Sequence, residues 1–221
     1  MKCDAIIFDF DGVIADSEVV LNQALAAGLT SLGLETSLSD SLRHYSGKRW
    51  ADILAIIEKQ LNRELPASFI GQQIERLGHK VLTQIQPVRG VDAFLQFSKK
   101  IPRAIASSGD PLWIRPTLTR FGLVEQFGRH IYSTTSLRHG KPHPEVYFLA
   151  AKKLGVDPKN AVAIEDSADG IAAAVAAGMT AIGLMAAAHM TADDAERLRA
   201  AGAQKIAEDY DEIAYWISST R

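Results

Sequence analysis

Short apolar runs alternate with longer stretches of helical periodicity, and this restricts the fold more than any other feature of the chain. Ala5–Phe8, 104–107, Ala161–Glu165 and Thr180–Leu184 read as strands, bounded by polar or glycine-bearing residues. Helical patterns follow at 111–121, 169–177 and 191–201. Residues 130–133 form a shorter strand candidate before a helix at 144–154, and Tyr210–Ser218 reads as a closing helix. Alternation of this kind predicts an α/β protein whose Rossmann-like parallel sheet carries helices on its faces.

One block departs from the rhythm. Between Ser17 and Gln86 no strand is evident, yet Val20, Ala24, Ala27 and Leu32 recur at helical spacing, as do Ile53, Leu54, Ile57 and Leu61. Pro66 opens a further helix that can run to Gln84, and Gly47, Pro66 and Gln86-Pro87 punctuate the block. The expected organisation is a catalytic core of residues 1–14 and 89–221, with an all-helical cap, residues 15–88, inserted after the first strand. Hinges are expected at 13–16 and 88–90.

Polar residues that carry chemistry gather where strands end. Asp9-Phe10-Asp11-Gly12 follows the first strand, and extended backbone sends Asp9 and Asp11 to one side and Phe10 to the other. Paired carboxylates repel unless a cation or shared proton lies between them. Alone, Asp-x-Asp-Gly is also an ordinary turn sequence. A second acidic pair, Glu165-Asp166, followed by Ser167, ends another strand. In open α/β sheets ligands bind outside the carboxyl ends of the strands. There the four carboxylates form an oxygen-rich set suited to magnesium rather than zinc. Ser107-Ser108-Gly109 offers a hydroxyl and backbone N–H groups for phosphate oxygens. Lys141, held between Gly140 and Pro142, can neutralise phosphate charge or remain a solvated loop residue.

Taken in order, Asp9-x-Asp11-Gly12, Ser107, Lys141-Pro142 and Glu165-Asp166-Ser167 resemble the four-motif signature of the haloacid dehalogenase-like hydrolase superfamily, across essentially the whole chain. The helical block is similar to the cap in the branch of β-phosphoglucomutase, phosphoglycolate phosphatase and sugar-phosphate phosphatases. Asp16-Ser17-Glu18, with Gly47-Lys48-Arg49, looks closest to the sugar phosphatases. The resemblance implies that Asp9 is the nucleophile, forming an aspartyl phosphate, and that Asp11 is the general acid and base. Ser107, Ser108 and Lys141 would bind phosphoryl oxygens. Asp9, the Asp11 carbonyl and Asp166 would hold Mg2+, with Glu165 behind them. Gly47, Lys48 and Arg49 are either a substrate-selecting cap loop or a helix-start turn with solvated charges. Lys48 and Arg49 would favour an acidic substrate such as a phosphorylated sugar acid.

The implied activity is hydrolysis of a small phosphomonoester, a sugar phosphate or a sugar acid such as 6-phosphogluconate. A phosphomutase is the alternative, and a magnesium-binding scaffold a further one. The mutase cap carries a histidine soon after the residues matching Asp16-Ser17, where this chain has Val20, Leu21 and Asn22. The dehalogenase and phosphonate-cleaving branches lack an aspartate at the place of Asp11. A formal net charge of -2 gives no electrostatic reason to expect nucleic acid or an anionic membrane as partner. With a lone cysteine, Cys3, no intrachain disulfide or cysteine cluster can form. Without a leader or a membrane-length apolar stretch, the expected setting is the cytoplasm, and the expected state a monomer. Asp110 and Asp169 read as helix caps. His139 and His143 flank Lys141, while His44, His79, His130 and His189 show no ligand spacing. Trp113 and Trp216 read as packing residues.

Overall fold

The computed structural model describes residues 3–219. The chain runs β1 (Ala5–Phe8), β2 (Ala15–Asp16), α1 (Glu18–Ser31), α2 (Leu38–Tyr45), α3 (Trp50–Leu61) and α4 (Ala67–Thr83). It continues through β3 (Gln86–Pro87), α5 (Val91–Phe97), β4 (Arg103–Ser107), α6 (Pro111–Arg120), β5 (Ile131–Ser133) and α7 (Glu145–Leu154). The remainder is β6 (Ala161–Glu165), α8 (Ala168–Ala176), β7 (Thr180–Leu184), α9 (Ala192–Ala200), β8 (Lys205–Ala207) and α10 (Tyr210–Ser218).

Among the described residues the main sheet is parallel throughout, in the order β5-β4-β1-β6-β7-β8. The chain leaves β1 for β4 and β5 on one side, then returns for β6 on the other. The strand order therefore reverses at the carboxyl end of β1, the place where open α/β sheets bind ligands. Extended backbone divides the strand side chains between two cores. Ile6, Phe8, Ile105 and Ile164 pack against Phe94 of α5, Ile114 of α6 and Ile213 of α10. Ala5, Ile7, Ala104, Ala106 and Ala163 meet Tyr147 of α7, Ile171 of α8 and Leu198 of α9. Most strand residues on that second face are alanine, so the helices approach closely. Each larger apolar side chain removed from water contributes about 1.5–3 kcal/mol to folding before entropy is counted.

Helices α1 to α4 have a cluster of their own, Leu25, Leu29, Tyr45, Ile53, Ile57, Leu65 and Phe69. They leave and re-enter the sheet region through a short antiparallel ribbon, Ala15 opposite Pro87 and Asp16 opposite Gln86. Gln86 was expected to punctuate; it pairs as well. Strand β8 and the seven-residue helix α5 lacked a sequence prediction. Arg120 at the end of α6 donates to the Val81 and Ile85 carbonyls, tying the end of α4 to the core. Trp113 packs against the core beside Gly78, where a Cβ would sit 2.3 Å from its ring. Among the described residues no helix is long and apolar enough to cross a membrane.

Candidate active site

Strand β1 delivers Asp9 to the reversal point. Its N–H continues the ladder to the Ile164 carbonyl at 3.0 Å. Its carboxylate accepts from the Phe10 N–H at 2.7 Å, while the Phe10 ring turns into the core. The chain then folds back sharply. Gly12 has φ 70° and donates to Ala15 O at 2.7 Å, and a Cβ there would fall 1.6 Å from Asp166 Oδ2. Backbone conformation and space therefore both require glycine. The buried Tyr210 hydroxyl donates to the Val13 carbonyl at 2.7 Å and pins the turn from α10.

Lys141 enters from the loop before α7. Its ammonium lies 3.0 Å from Asp9 Oδ1 and 2.5 Å from Glu165 Oε1, with all three side chains at most 5% exposed. Glu165, at the end of β6, also accepts from the Tyr147 hydroxyl and, at 3.2 Å, from Ser167 Oγ. A Cβ at Gly170 would strike this carboxylate at 2.1 Å, which explains a glycine in the first turn of α8. Burial opposes the Lys141 charge, but Asp9 and Glu165 outweigh it and raise its pKa. The lysine is a fixed cation.

Asp166 follows on the same strand end, buried, with His189 Nε2 3.3 Å from its Oδ2. Burial lifts the Asp166 pKa to about 6 against the lowering effect of His189. The His189 pKa is raised: burial pulls it down, and the Asp166 hydrogen bond and charge more than offset this. Asp11 accepts from Ser17 Oγ at 2.6 Å. Burial first and the Glu18 charge second lift its carboxyl to about 7, beyond the opposing Ser17 hydrogen bond. On Asp9, burial and then the Glu165 charge hold the carboxyl well above its ordinary range despite Lys141.

Ser107 and Ser108 close another side of the site. Ser107 Oγ accepts from the Gly109 N–H at 2.9 Å. Gly109 is close enough to Asp11 that a Cβ there would lie 3.0 Å from Asp11 Oδ2. Ser133, at the end of β5, donates to the Gly109 carbonyl at 2.6 Å and holds this turn. The Ser108 hydroxyl is buried without a hydrogen-bond partner among the described residues. A buried hydroxyl left unpaired costs about 1–3 kcal/mol, a cost that a ligand oxygen at this turn would offset.

The balance of charge points to a cation. Asp9, Asp11, Glu165 and Asp166 gather around one lysine, and Asp9, Glu165 and Asp166 offer ligand oxygens within 4.8 Å of one another. All-oxygen donors, and the upward pKa shifts of Asp9, Asp11 and Asp166, fit a hard divalent ion such as magnesium.

The cap residues take less direct positions. Glu18, at the start of α1, accepts from Ser46 Oγ at 2.9 Å and from the Gly47 N–H at 3.2 Å. Gly47, φ 73°, lies against Ser167: a Cβ there would sit 3.0 Å from the serine Cβ. Lys48 pairs with Asp169 at 2.7 Å, bridging the helical block and α8. Ser167, rather than Asp169, caps α8 through the Gly170 N–H. Arg49 grips both oxygens of Asp52 at 2.7 and 2.8 Å, with Gly140 beside it. Asp110 caps α6 as expected. A cleft of about 930 Å³ between α2 and the α8–α9 side reaches Asp166, Ser167, Asp169, His189 and Lys48.

Glu18, Ser133, Tyr147 and His189 also contribute to the site, without an assigned role in the sequence reading. Glu18 lay inside a recognised stretch. Tyr147 and His189 sit one in a helix and one in a loop, and no local spacing marks them.

An open parallel α/β sheet with a buried carboxylate–lysine pair at its reversal point has the layout of an α/β enzyme whose site lies at the carboxyl ends of its strands. The sequence pattern of haloacid dehalogenase-like (HAD) hydrolases matches residues 3–178, and the chain belongs to that family. Hexitol phosphatase B of Escherichia coli K12 is 33% identical over 186 residues, covering 80% of this chain and 82% of that protein. The fructose-1-phosphate phosphatase of the same strain is 28% identical over 177 residues, covering 80% and 94%. The crystal structure of a HAD family hydrolase from Deinococcus radiodurans R1, with bound phosphate and sodium, matches at a TM-score of 0.79. It is 31% identical, with 99% of this chain and 96% of that one covered.

Proposed function

We propose that this protein is a magnesium-dependent phosphatase that hydrolyses a small phosphomonoester through a phosphoryl group carried on Asp9. One observation carries the reading: Asp9 is fixed against a buried ammonium at 3.0 Å, in a site that also holds the carboxyl of Asp11, raised to about 7. Asp9 Oδ attacks phosphorus and the phosphorus–oxygen bond to the leaving alcohol breaks. Asp11 gives that alcohol its proton. Water then attacks the phosphorus of the aspartyl phosphate, Asp11 takes up the water's proton, and inorganic phosphate departs with Asp9 restored.

Lys141 and the Ser107-Ser108 turn orient the phosphoryl oxygens, and phosphoryl transfer depends chiefly on such positioning and charge neutralisation. Asp9, Asp166 and the Asp11 carbonyl would hold Mg2+, which supplies further neutralisation of those oxygens. Glu165 fixes Lys141 at 2.5 Å.

Residues 15–88 act as a lid over the site. A sugar phosphate or sugar-alcohol phosphate is the substrate class, in keeping with the hexitol and fructose-1-phosphate phosphatases that the chain resembles. Lys48 and Arg49 meet substrate charge, as in 6-phosphogluconate, by exchanging Asp169 and Asp52 for it.

Phosphate release across a panel of phosphorylated hexoses, hexitols, sugar acids, glycolate and nucleotides tests the reading. Release from the sugar class is expected, abolished by EDTA, restored by Mg2+ and lost in Asp9→Asn. Conversion of β-glucose 1-phosphate to glucose 6-phosphate without phosphate release would identify a mutase. Inactivity in both assays would leave only a scaffold.

A further inference from the structure

The loop that presents Lys141 inward gathers a second set of ligand-type side chains on its solvent side. His139, His143 and Glu145 offer ligand atoms that all lie within 4.8 Å of one another. His139 Nδ1 is 3.5 Å and His143 Nδ1 4.0 Å from the same glutamate oxygen, Oε2. A tetrahedral ion with bonds of about 2.0–2.2 Å separates its ligands by roughly 3.3–3.6 Å, so small side-chain rotations close the set. The two imidazoles lie 4.4 Å apart between ring centres.

The backbone holds this arrangement. The His139 N–H donates to Glu145 Oε2 at 3.2 Å, and the His143 N–H to the Gly140 carbonyl at 2.9 Å. Pro142 and Pro144 restrict the chain on either side of His143. The histidines are 47% and 49% exposed, which gives an ion access and leaves its remaining positions to water. Two imidazoles and one carboxylate favour zinc and its borderline neighbours over magnesium. The cluster differs in kind from the all-oxygen Asp9, Glu165 and Asp166.

We propose that His139, His143 and Glu145 form a second metal site, for zinc or a similar divalent transition metal, on the loop that carries Lys141. The test is calorimetric titration of the tag-free full chain with Zn2+ in excess Mg2+, set beside the His139→Ala/His143→Ala double variant, Glu145→Gln and Asp166→Asn. Wild type is expected to bind one zinc, the double variant roughly tenfold or more weakly, and Glu145→Gln in between. Asp166→Asn should match wild type. Circular dichroism shows that each variant is folded. Absence of zinc binding in wild type, unchanged binding in the double variant, or loss in Asp166→Asn would each overturn the proposal. A Co2+ titration gives an independent readout: visible absorption bands from nitrogen ligation should appear in wild type and vanish in the double variant.

Discussion

The Asp11 carboxyl lies in a buried setting beside Glu18 and is lifted to about 7, which suits the proton transfer to a departing alkoxide proposed for it. Asp11→Asn should therefore lower kcat by about 10²–10⁴ on alkyl phosphates. The loss should be much smaller on an aryl phosphate, whose leaving group needs little protonation. Equal losses on both substrates would remove the general-acid assignment. Gly12 offers a test of a different kind. Gly12→Ala adds about 1–2 kcal/mol of left-handed backbone strain and directs a Cβ at Asp166. Metal affinity in calorimetry and phosphate release should fall together, with the unfolding midpoint lowered as well.

At the scale of elements, helix starts are set by short side chains. Asp209 accepts from both the Asp211 and Glu212 N–H groups at 3.0 Å and opens α10. This helix supplies Tyr210 to the core and to the Val13 carbonyl. Asp209→Ala should cost about 1 kcal/mol in urea unfolding while kcat/KM stays within twofold. A large catalytic loss would mean that the cap residue also sets the Asp9–Asp11 turn through Tyr210. The main strands were legible because three or more consecutive apolar residues between polar boundaries have few other solutions. Strand β8, with a lysine first and only its last residue buried, carries no such pattern. The β2–β3 ribbon is two residues per strand, too short for any periodicity, and exists because the two ends of the helical block meet there.

At the scale of the whole molecule, Lys48 to Asp169 is a direct polar contact between the helical block and α8. Both side chains are about one-third exposed, so the pair is worth only about 0.2–1 kcal/mol to stability. On the proposed lid reading of residues 15–88, its larger effect falls on closure. Lys48→Asp should change kcat/KM far more than the unfolding midpoint. Adding Asp169→Lys should recover part of that change, a coupling that a double-mutant cycle measures. Additive effects would mean that the pair does not hold the lid, and recovery would separate a bridging role for Lys48 from direct contact with substrate.

The sequence alone determined the alternation of strands and helices, and with it the parallel sheet. It also placed Asp9, Ser107, Lys141 and Asp166, because each lies in or beside a strand end or in a loop between sheet elements. Parallel strands send their carboxyl ends to one edge of the sheet, so motifs distant along the chain are bound to converge. Tertiary structure alone decided the rest. Tyr147 against Glu165, His189 against Asp166 and Ser133 under Gly109 join residues whose neighbourhoods carry no mark of the partner. Such pairings depend on the distance and angle at which a helix or loop meets the sheet. Those are fixed by side-chain packing across the whole core, where no local pattern records them.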